Sequence, residues 1–283
     1  VGFTDRHGPS TKRSFLYDTA LCITELVASG DVTTARQVAD AILACPQVDG
    51  SYANERNAGH VLLGNGSPRS PLSPRRTLGD NAWLGIALLN LHSVTGDKNY
   101  LTKAKAISDW AETNLKATTP ATSMKGYYGG FDDSNVLYAW RSTEHNIDHA
   151  QFNRRLSQAL TAVGDVTASV YTARSAHAAS FVFAMFNNVD GHFWTGTSSG
   201  DTINTSSVLL DVQLWPVHTL AQWPEHATAI DWTRPVAWAR SHLTVTDAGF
   251  IGLKFSSGMS DAVWFEGNAI AALACRALGQ TAN

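Results

Sequence analysis

An acidic residue recurs at the start of an apolar, helix-patterned run about every sixty residues of this chain. The five acids are Asp18, Asp80, Glu144, Asp211 and Glu266, and the steps between them are 62, 64, 67 and 55 residues. A regular period is typical of one supersecondary unit stacked on copies of itself. The chain is therefore expected to fold as a helical repeat in which the five carboxylates occupy equivalent positions.

The repeating unit has the pattern of a helical hairpin. Residues 82–91 are apolar almost all round, as expected for a helix covered on every side, whereas residues 100–115 carry a single apolar stripe. Three turns read Gly-Asp, at positions 30–31, 96–97 and 164–165. Glycine accepts the left-handed conformation that ends a helix, and aspartate caps the next one. Each unit is thus predicted to pair an inner, buried helix with an outer, half-exposed helix.

The connections that lead into the inner helices are long and rich in Gly, Ser, Pro and aromatic residues; they cover 46–79, 116–141, 187–207 and 244–261. Two of them contain the pattern of a short β-hairpin, at 190–194 and 248–253. We predict an all-α protein: a single (α/α)-barrel (toroid) domain over residues 1–283, with short β-hairpins in the long loops on one face. Four hairpins and a fifth inner helix are visible. A ring of six at this period needs about 370 residues, so the ring is either partial or closes with fewer units.

Composition narrows the class of protein. The net charge is −3 with 16% charged residues and no basic tract, which argues against a nucleic-acid partner. No apolar run reaches the ~20 residues of a membrane span, and no leader remains at the Val1 end. We expect a secreted or periplasmic protein, because Ser, Thr, Asn and Gly are abundant and Lys is scarce. We also expect a monomer. Cys22 and Cys45 either pair or, with Cys275, stay buried thiols, and we favour the thiols.

Two segments carry a resemblance to a known superfamily. Residues 140–148 read WRSTEHNID and residues 264–268 read WFEGN. The hairpin layout resembles that of the (α/α)-toroid or six-hairpin glycosidase-like superfamily. The two segments are similar to segments of bacterial (α/α)-barrel proteins that act on carbohydrates. The resemblance implies an (α/α) barrel that cleaves polysaccharides or oligosaccharides; some members are epimerases or lyases. We expect hydrolysis by paired carboxylates, without a cofactor or metal.

Glycoside hydrolysis needs two carboxyl groups, one protonated and one ionised. Glu144 and Asp148 are four residues apart, which places them on one face of a helix, and Asp80 and Asp148 each lie sixteen residues before their turn glycine. Glu144 is the predicted general acid, with Asp80 or Asp148 as base or nucleophile. Asp211 and Glu266 are further catalytic candidates. For every acid in the row, helix capping is the alternative role, and Asp18 is assigned to it.

Aromatic rings next to the long loops are the predicted sugar-binding surfaces, because pyranose C–H faces stack on indole and phenol rings. The predicted substrate-binding residues are Trp83, Tyr128, Trp140, Arg141, His145, Trp215 and Trp264. One rival function is a lyase or epimerase that uses His or Tyr with Arg to remove a ring proton. Another is a non-catalytic carbohydrate-binding protein in which the carboxylates only cap helices.

Overall fold

The computed structural model describes residues 13–45, 49–57, 73–118, 124–258 and 262–280. Parts of the predicted connections 46–79, 116–141 and 244–261 lie outside these residues. The chain divides into two compact units: Val1–Ala117 with Tyr127–Tyr138 and Asp148–Ala176, and Thr118–Gly126 with Ala139–Ile147 and His177–Asn283. We call them unit 1 and unit 2. The single domain over residues 1–283 stays a prediction.

Unit 1 is built on helical hairpins. Its helices are α1 (Leu16–Ala28), α2 (Val32–Leu43), α3 (Leu78–Thr95) and α4 (Lys98–Asn114), with residues 148–162 of α5 (Thr143–Ala162) and residues 168–176 of α6 (Ala168–Ala184). Two antiparallel strand pairs precede helices: β1 (Arg13–Phe15) with β2 (Glu55–Asn57), and β3 (Arg76–Thr77) with β4 (Gly130–Phe131). The pairs align the chain as it enters α1 and α3.

The hairpin prediction is confirmed in the packing of α3 and α4. Helix α3 is buried on nearly all sides, whereas α4 buries the one stripe that contains Leu101, Ala104 and Ile107. Between them, Gly96 takes the left-handed conformation at φ 69°, and the Asp97 side chain accepts a hydrogen bond from the Asn99 N–H at 2.9 Å. The Gly-Asp turn therefore ends one helix and caps the next, as expected.

Close packing of α3 on α5 depends on the absence of a side chain at Gly85. A Cβ atom at this position would overlap the ring of Phe152, which is fully buried in the core of unit 1. Interiors are packed too densely to absorb such an overlap without displacement. Gly85 therefore fixes how closely the two helices approach.

Unit 2 mixes helices with short strands. Its helices are α7 (Asp211–His218), α8 (Thr233–Leu243) and α9 (Phe265–Ala277), with residues 143–147 of α5 and 177–184 of α6. The strands are β5 (Arg141–Ser142), β6 (Phe186–Asn187), β7 (His192–Phe193), β8 (Gly196–Ser199), β9 (Thr202–Ile203), β10 (Thr244–Asp247) and β11 (Phe250–Leu253). β5, β8 and β9 form one antiparallel sheet, and β6–β7 and β10–β11 are hairpins. Both predicted hairpins are thus present.

Helix α7 is short because Pro216 lies inside it, and a 3₁₀ turn at Leu220–Gln222 follows. Among the described helices, none is long and apolar enough to cross a membrane. All three cysteines lie in the described residues and none forms a disulfide, so Cys22 and Cys45 do not pair. Cys275 is buried, whereas Cys22 and Cys45 are each partly exposed.

Candidate functional site

Two carboxylates meet at the N-termini of α7 and α9 in unit 2. Asp211 is the first residue of α7, and its side chain is 4% exposed. Its Oδ1 accepts a hydrogen bond from the Val212 N–H at 2.7 Å. Glu266 is the second residue of α9 and is exposed. The structure therefore brings together two of the predicted catalytic residues, one buried and one facing solvent.

Burial and, to a lesser degree, the negative charge of Glu266 together raise the pKa of Asp211 to about 6, against the Val212 N–H, which favours the carboxylate. Near pH 6, Asp211 is thus divided between its protonated and ionised forms. A carboxyl group that keeps its proton beside a second carboxylate has the electrostatics of an acid–base pair.

The acids in the first turns of α3, α7 and α9 do not occupy the cap positions. The N-cap residues are Thr77, Leu210 and Trp264, and none of them makes a side-chain capping hydrogen bond. Asp211 and Glu266 therefore lie inside the helices rather than at the caps. An acid in the first turn gains from the helix dipole, and Asp211 also accepts the Val212 N–H; both favour the ionised form, whereas burial raises the pKa of Asp211.

Trp264 lies directly before α9 and is partly exposed. Its ring meets Phe255 edge-on, with the ring centroids 4.9 Å apart, and it packs over Gly267, where a Cβ atom would overlap the indole. Trp215, another predicted sugar-binding residue, is 7% exposed within α7. Of these two rings, Trp264 has the surface that a ligand can reach.

A cleft of about 430 Å³ lies at the N-terminus of α5, within unit 2. Its lining includes Trp140, Ser142, His145, Thr195, Ser198 and Asn204. The rings of Trp140 and His145 meet edge-on, with their centroids 5.5 Å apart. The backbone N–H of His145 donates a hydrogen bond to Ser142 Oγ at 3.2 Å. Glu144 lies in the same first turn and is half-buried. Clefts of this size hold small ligands.

The cleft and the α7 terminus are connected by residues 204–210. This segment is held at several points: Thr195 Oγ1 donates to Ser207 O at 2.7 Å, and the Leu210 N–H donates to Phe255 O at 2.9 Å. Phe255 in turn contacts Trp264. The segment therefore positions Asp211 relative to the strands that line the cleft.

Arg141 serves as an internal tie. Its side chain is 0% exposed, and Nη1 donates to Met124 O at 2.6 Å and to Lys125 O at 2.9 Å. Nη2 donates to Gly200 O and to Asp201 Oδ1, the latter at 2.5 Å. The guanidinium thus joins three chain segments, and this arrangement gives no support to the prediction that it binds substrate.

Unit 1 has its own perturbed acid, Asp80, in the first turn of α3. The Thr77 hydroxyl donates to its carboxylate. Burial raises the pKa of Asp80 and the charge of Asp18 adds to the effect, while hydrogen bonds from Thr77 and from the Tyr17 backbone oppose it. The N-cap of α1 is Phe15, and Asp18, for which the sequence predicts a capping role, lies in the first turn of the helix. The signal that could have found this pair was the repeat itself, which gives Asp18 and Asp80 equivalent positions.

The other predicted residues of unit 1 are distributed around its helices. The ring of Trp83 meets Tyr17 edge-on at 5.6 Å, Asp148 is 4% exposed on α5, and Tyr128 is half-buried, its N–H bonded to Leu115 O. Joint action of Glu144, Asp148 and Asp80 stays a prediction. Within the described ranges, no group of three or more His, Cys, Asp or Glu side chains is placed to hold a metal ion.

Solved structures of other proteins share this fold. A sugar epimerase from a ruminal bacterium matches with a TM-score of 0.69 and 13% identity, over 99% of this chain and 79% of that one. Cellobiose 2-epimerase from Bacillus thermoamylovorans matches with a TM-score of 0.67 and 14% identity, over 96% and 75%. An endoglucanase of glycosyl hydrolase family 8 from Klebsiella pneumoniae matches with a TM-score of 0.64 and 11% identity, over 96% and 83%. Neither a protein-family model nor a curated protein matches the sequence.

These likenesses show the fold. The chain shares the (α/α)-barrel fold of the matched structures, which confirms the fold class predicted from the sequence. At 11–14% identity, the likeness does not carry over an activity or a set of catalytic residues. The chemistry has to be argued from the residues themselves.

Proposed function

We propose that this protein is a glycoside hydrolase that cleaves a polysaccharide or oligosaccharide, with Asp211 as the general acid and Glu266 as the partner carboxylate. The observation that carries the proposal is the buried Asp211, whose pKa is raised to about 6 next to the charge of Glu266. A general acid must hold its proton near the working pH and release it to the leaving oxygen. Burial gives Asp211 this property, and exposure leaves Glu266 able to meet water or the sugar.

The surroundings of the pair favour a carbohydrate. Trp264 offers a partly exposed indole two residues before Glu266, and a cleft with Trp140 lies at the other end of the segment 204–210. Indole rings stack on the C–H faces of pyranoses. The shared fold supports the same class of ligand, because the matched structures are named as two epimerases of sugars and one glycosyl hydrolase.

The test is a cleavage screen on neutral and acidic glycans with the wild type, Asp211→Asn and Glu266→Gln. We expect each variant to lose about 10²–10⁴-fold in kcat on any glycan that the wild type cleaves. Asp247→Asn is the matched control, because Asp247 is an exposed carboxylate of the same unit, and its activity should equal the wild type. If Asp211→Asn cleaves the glycan at the wild-type rate, Asp211 is not the general acid.

An epimerase is the second candidate, and His145 is the observation that favours it. His145 lines the cleft beside Trp140, where an imidazole can remove and return a proton on a sugar carbon. Epimerisation in D₂O would incorporate deuterium at the inverted carbon without cleavage of the glycan, and His145→Asn would abolish it. Cleavage without deuterium incorporation selects the hydrolase.

A further inference from the structure

The charge state of the α5 cleft bears on which sugars enter it. Arg141 is the one guanidinium in the described lining, and each of its two terminal nitrogens already makes two hydrogen bonds inside the protein. One of these partners is the Asp201 carboxylate, which compensates the positive charge. The four Nη hydrogens are thus committed to partners inside the protein.

Apart from the imidazole of His145, the remaining lining carries no ionisable side chain and is rich in hydroxyl groups. It includes Ser142, Thr195, Thr197 and Ser198, together with the carboxamide of Asn204. Asn204 Oδ1 accepts hydrogen bonds from the Ser206 N–H and hydroxyl, so the oxygen of the carboxamide is engaged and its nitrogen is the group that can donate to a ligand. Hydroxyl and amide groups both donate and accept, which suits the hydroxyl groups of a sugar.

A carboxylate placed here would lose its hydration without gaining a cationic partner from Arg141. Burying an uncompensated charge is costly, whereas a neutral pyranose gives up hydroxyl–water bonds and regains them from the lining. Trp140 supplies the flat apolar face that a pyranose needs on its other side. The cleft thus discriminates by charge.

We propose that the α5 cleft is a binding subsite for a neutral pyranose, and that it disfavours uronic acids and sugar phosphates. The inference rests on the proposed function in taking a glycan as the ligand, but it concerns binding and does not depend on which carboxylates catalyse. It also opposes a lyase acting on uronic-acid polymers.

The test measures binding to the Asp211→Asn variant by calorimetry and tryptophan fluorescence at pH 7.5. The probes are β-1,4-linked tetramers of glucose and mannose and the matched tetramers of glucuronic and mannuronic acid. We expect at least one neutral tetramer to bind about tenfold or more tightly than its acidic counterpart. Trp140→Ala should weaken that binding by about fivefold or more. Trp238→Ala is the control, because Trp238 is a half-exposed indole of unit 2 that stacks on His242 outside the cleft.

A gain-of-binding variant completes the test. Ser198 lines the cleft and is exposed, so Ser198→Lys adds an uncommitted cation and should raise the affinity for the acidic tetramers. Equal or tighter binding of the acidic tetramers by the parent variant would overturn the proposal, and so would a failure of both neutral tetramers to bind. Binding of the neutral tetramers without cleavage by the wild type would instead count against the hydrolase while the subsite stands.

Discussion

Replacing Asp211 by Asn preserves the shape of the α7 terminus and removes its titratable proton. The amide keeps an Oδ1 atom that can accept the Val212 N–H, which Asp211 binds at 2.7 Å. The pKa of Asp211 is raised from the ordinary 3.8 to about 6 in the folded protein. The folded state therefore binds this proton more tightly than the unfolded state between these two pH values. The stabilisation is complete below pH 3.8 and is lost as the pH rises through 6.

The size of the effect follows from the shift. A difference of about 2 pKa units at about 1.4 kcal/mol each corresponds to about 3 kcal/mol of unfolding free energy. Because Asn does not titrate, the stability of Asp211→Asn relative to the wild type should rise by about 3 kcal/mol between pH 4 and pH 7. A single surface substitution rarely changes stability by so much.

The assay is urea unfolding of both proteins at pH 4, 5, 6 and 7, with the difference in unfolding free energy plotted against pH. Titrating groups that do not interact with Asp211, Asp80 among them, contribute equally to both proteins and cancel. Glu266→Gln should make the unfolding free energy depend less steeply on pH than it does in the wild type, because it removes a charge that raises the pKa of Asp211. A flat difference for Asp211→Asn over the whole range would refute the argument, and with it the protonated acid that the hydrolase requires.

Three further predictions follow from the same contacts. The kcat/KM of the wild type should decline above about pH 6 as Asp211 loses its proton, and a profile still rising at pH 8 would assign the acid elsewhere. Gly85→Ala should lower the unfolding free energy by about 1–3 kcal/mol, since its Cβ atom overlaps Phe152; Gly96→Ala, in open space at positive φ, should cost about 1 kcal/mol or less. Arg141→Lys should lower both the melting temperature and the affinity of the cleft, because an ammonium group cannot replace four guanidinium bonds; an unchanged melting temperature would contradict the role of a tie.

The helices were predictable because their signals are local. The all-round apolar pattern of α3, the stripe of α4 and the Gly-Asp turns each depend on neighbouring residues, and each is present in the structure. The catalytic assignment depends on contacts between distant residues. Nothing near Asp211 in the sequence reveals that it is buried or that Glu266, 55 residues later, lies close enough to raise its pKa. For the same reason, the sequence does not show that carbonyl groups of separate loops engage the guanidinium of Arg141.

The sign of a pKa shift separates the two roles that an acid at a helix terminus can have. Asp165, in the turn before α6, receives a bond from Lys105 Nζ at 2.9 Å and bonds from the Thr167 N–H and hydroxyl, which hold its pKa well below the usual range. Its ionised form stabilises the fold. Asp211 has a raised pKa, so its ionised form opposes the fold, and the N-cap position of α7 belongs to Leu210. A buried acid whose ionised form weakens the fold near neutral pH is best explained by a use for its proton.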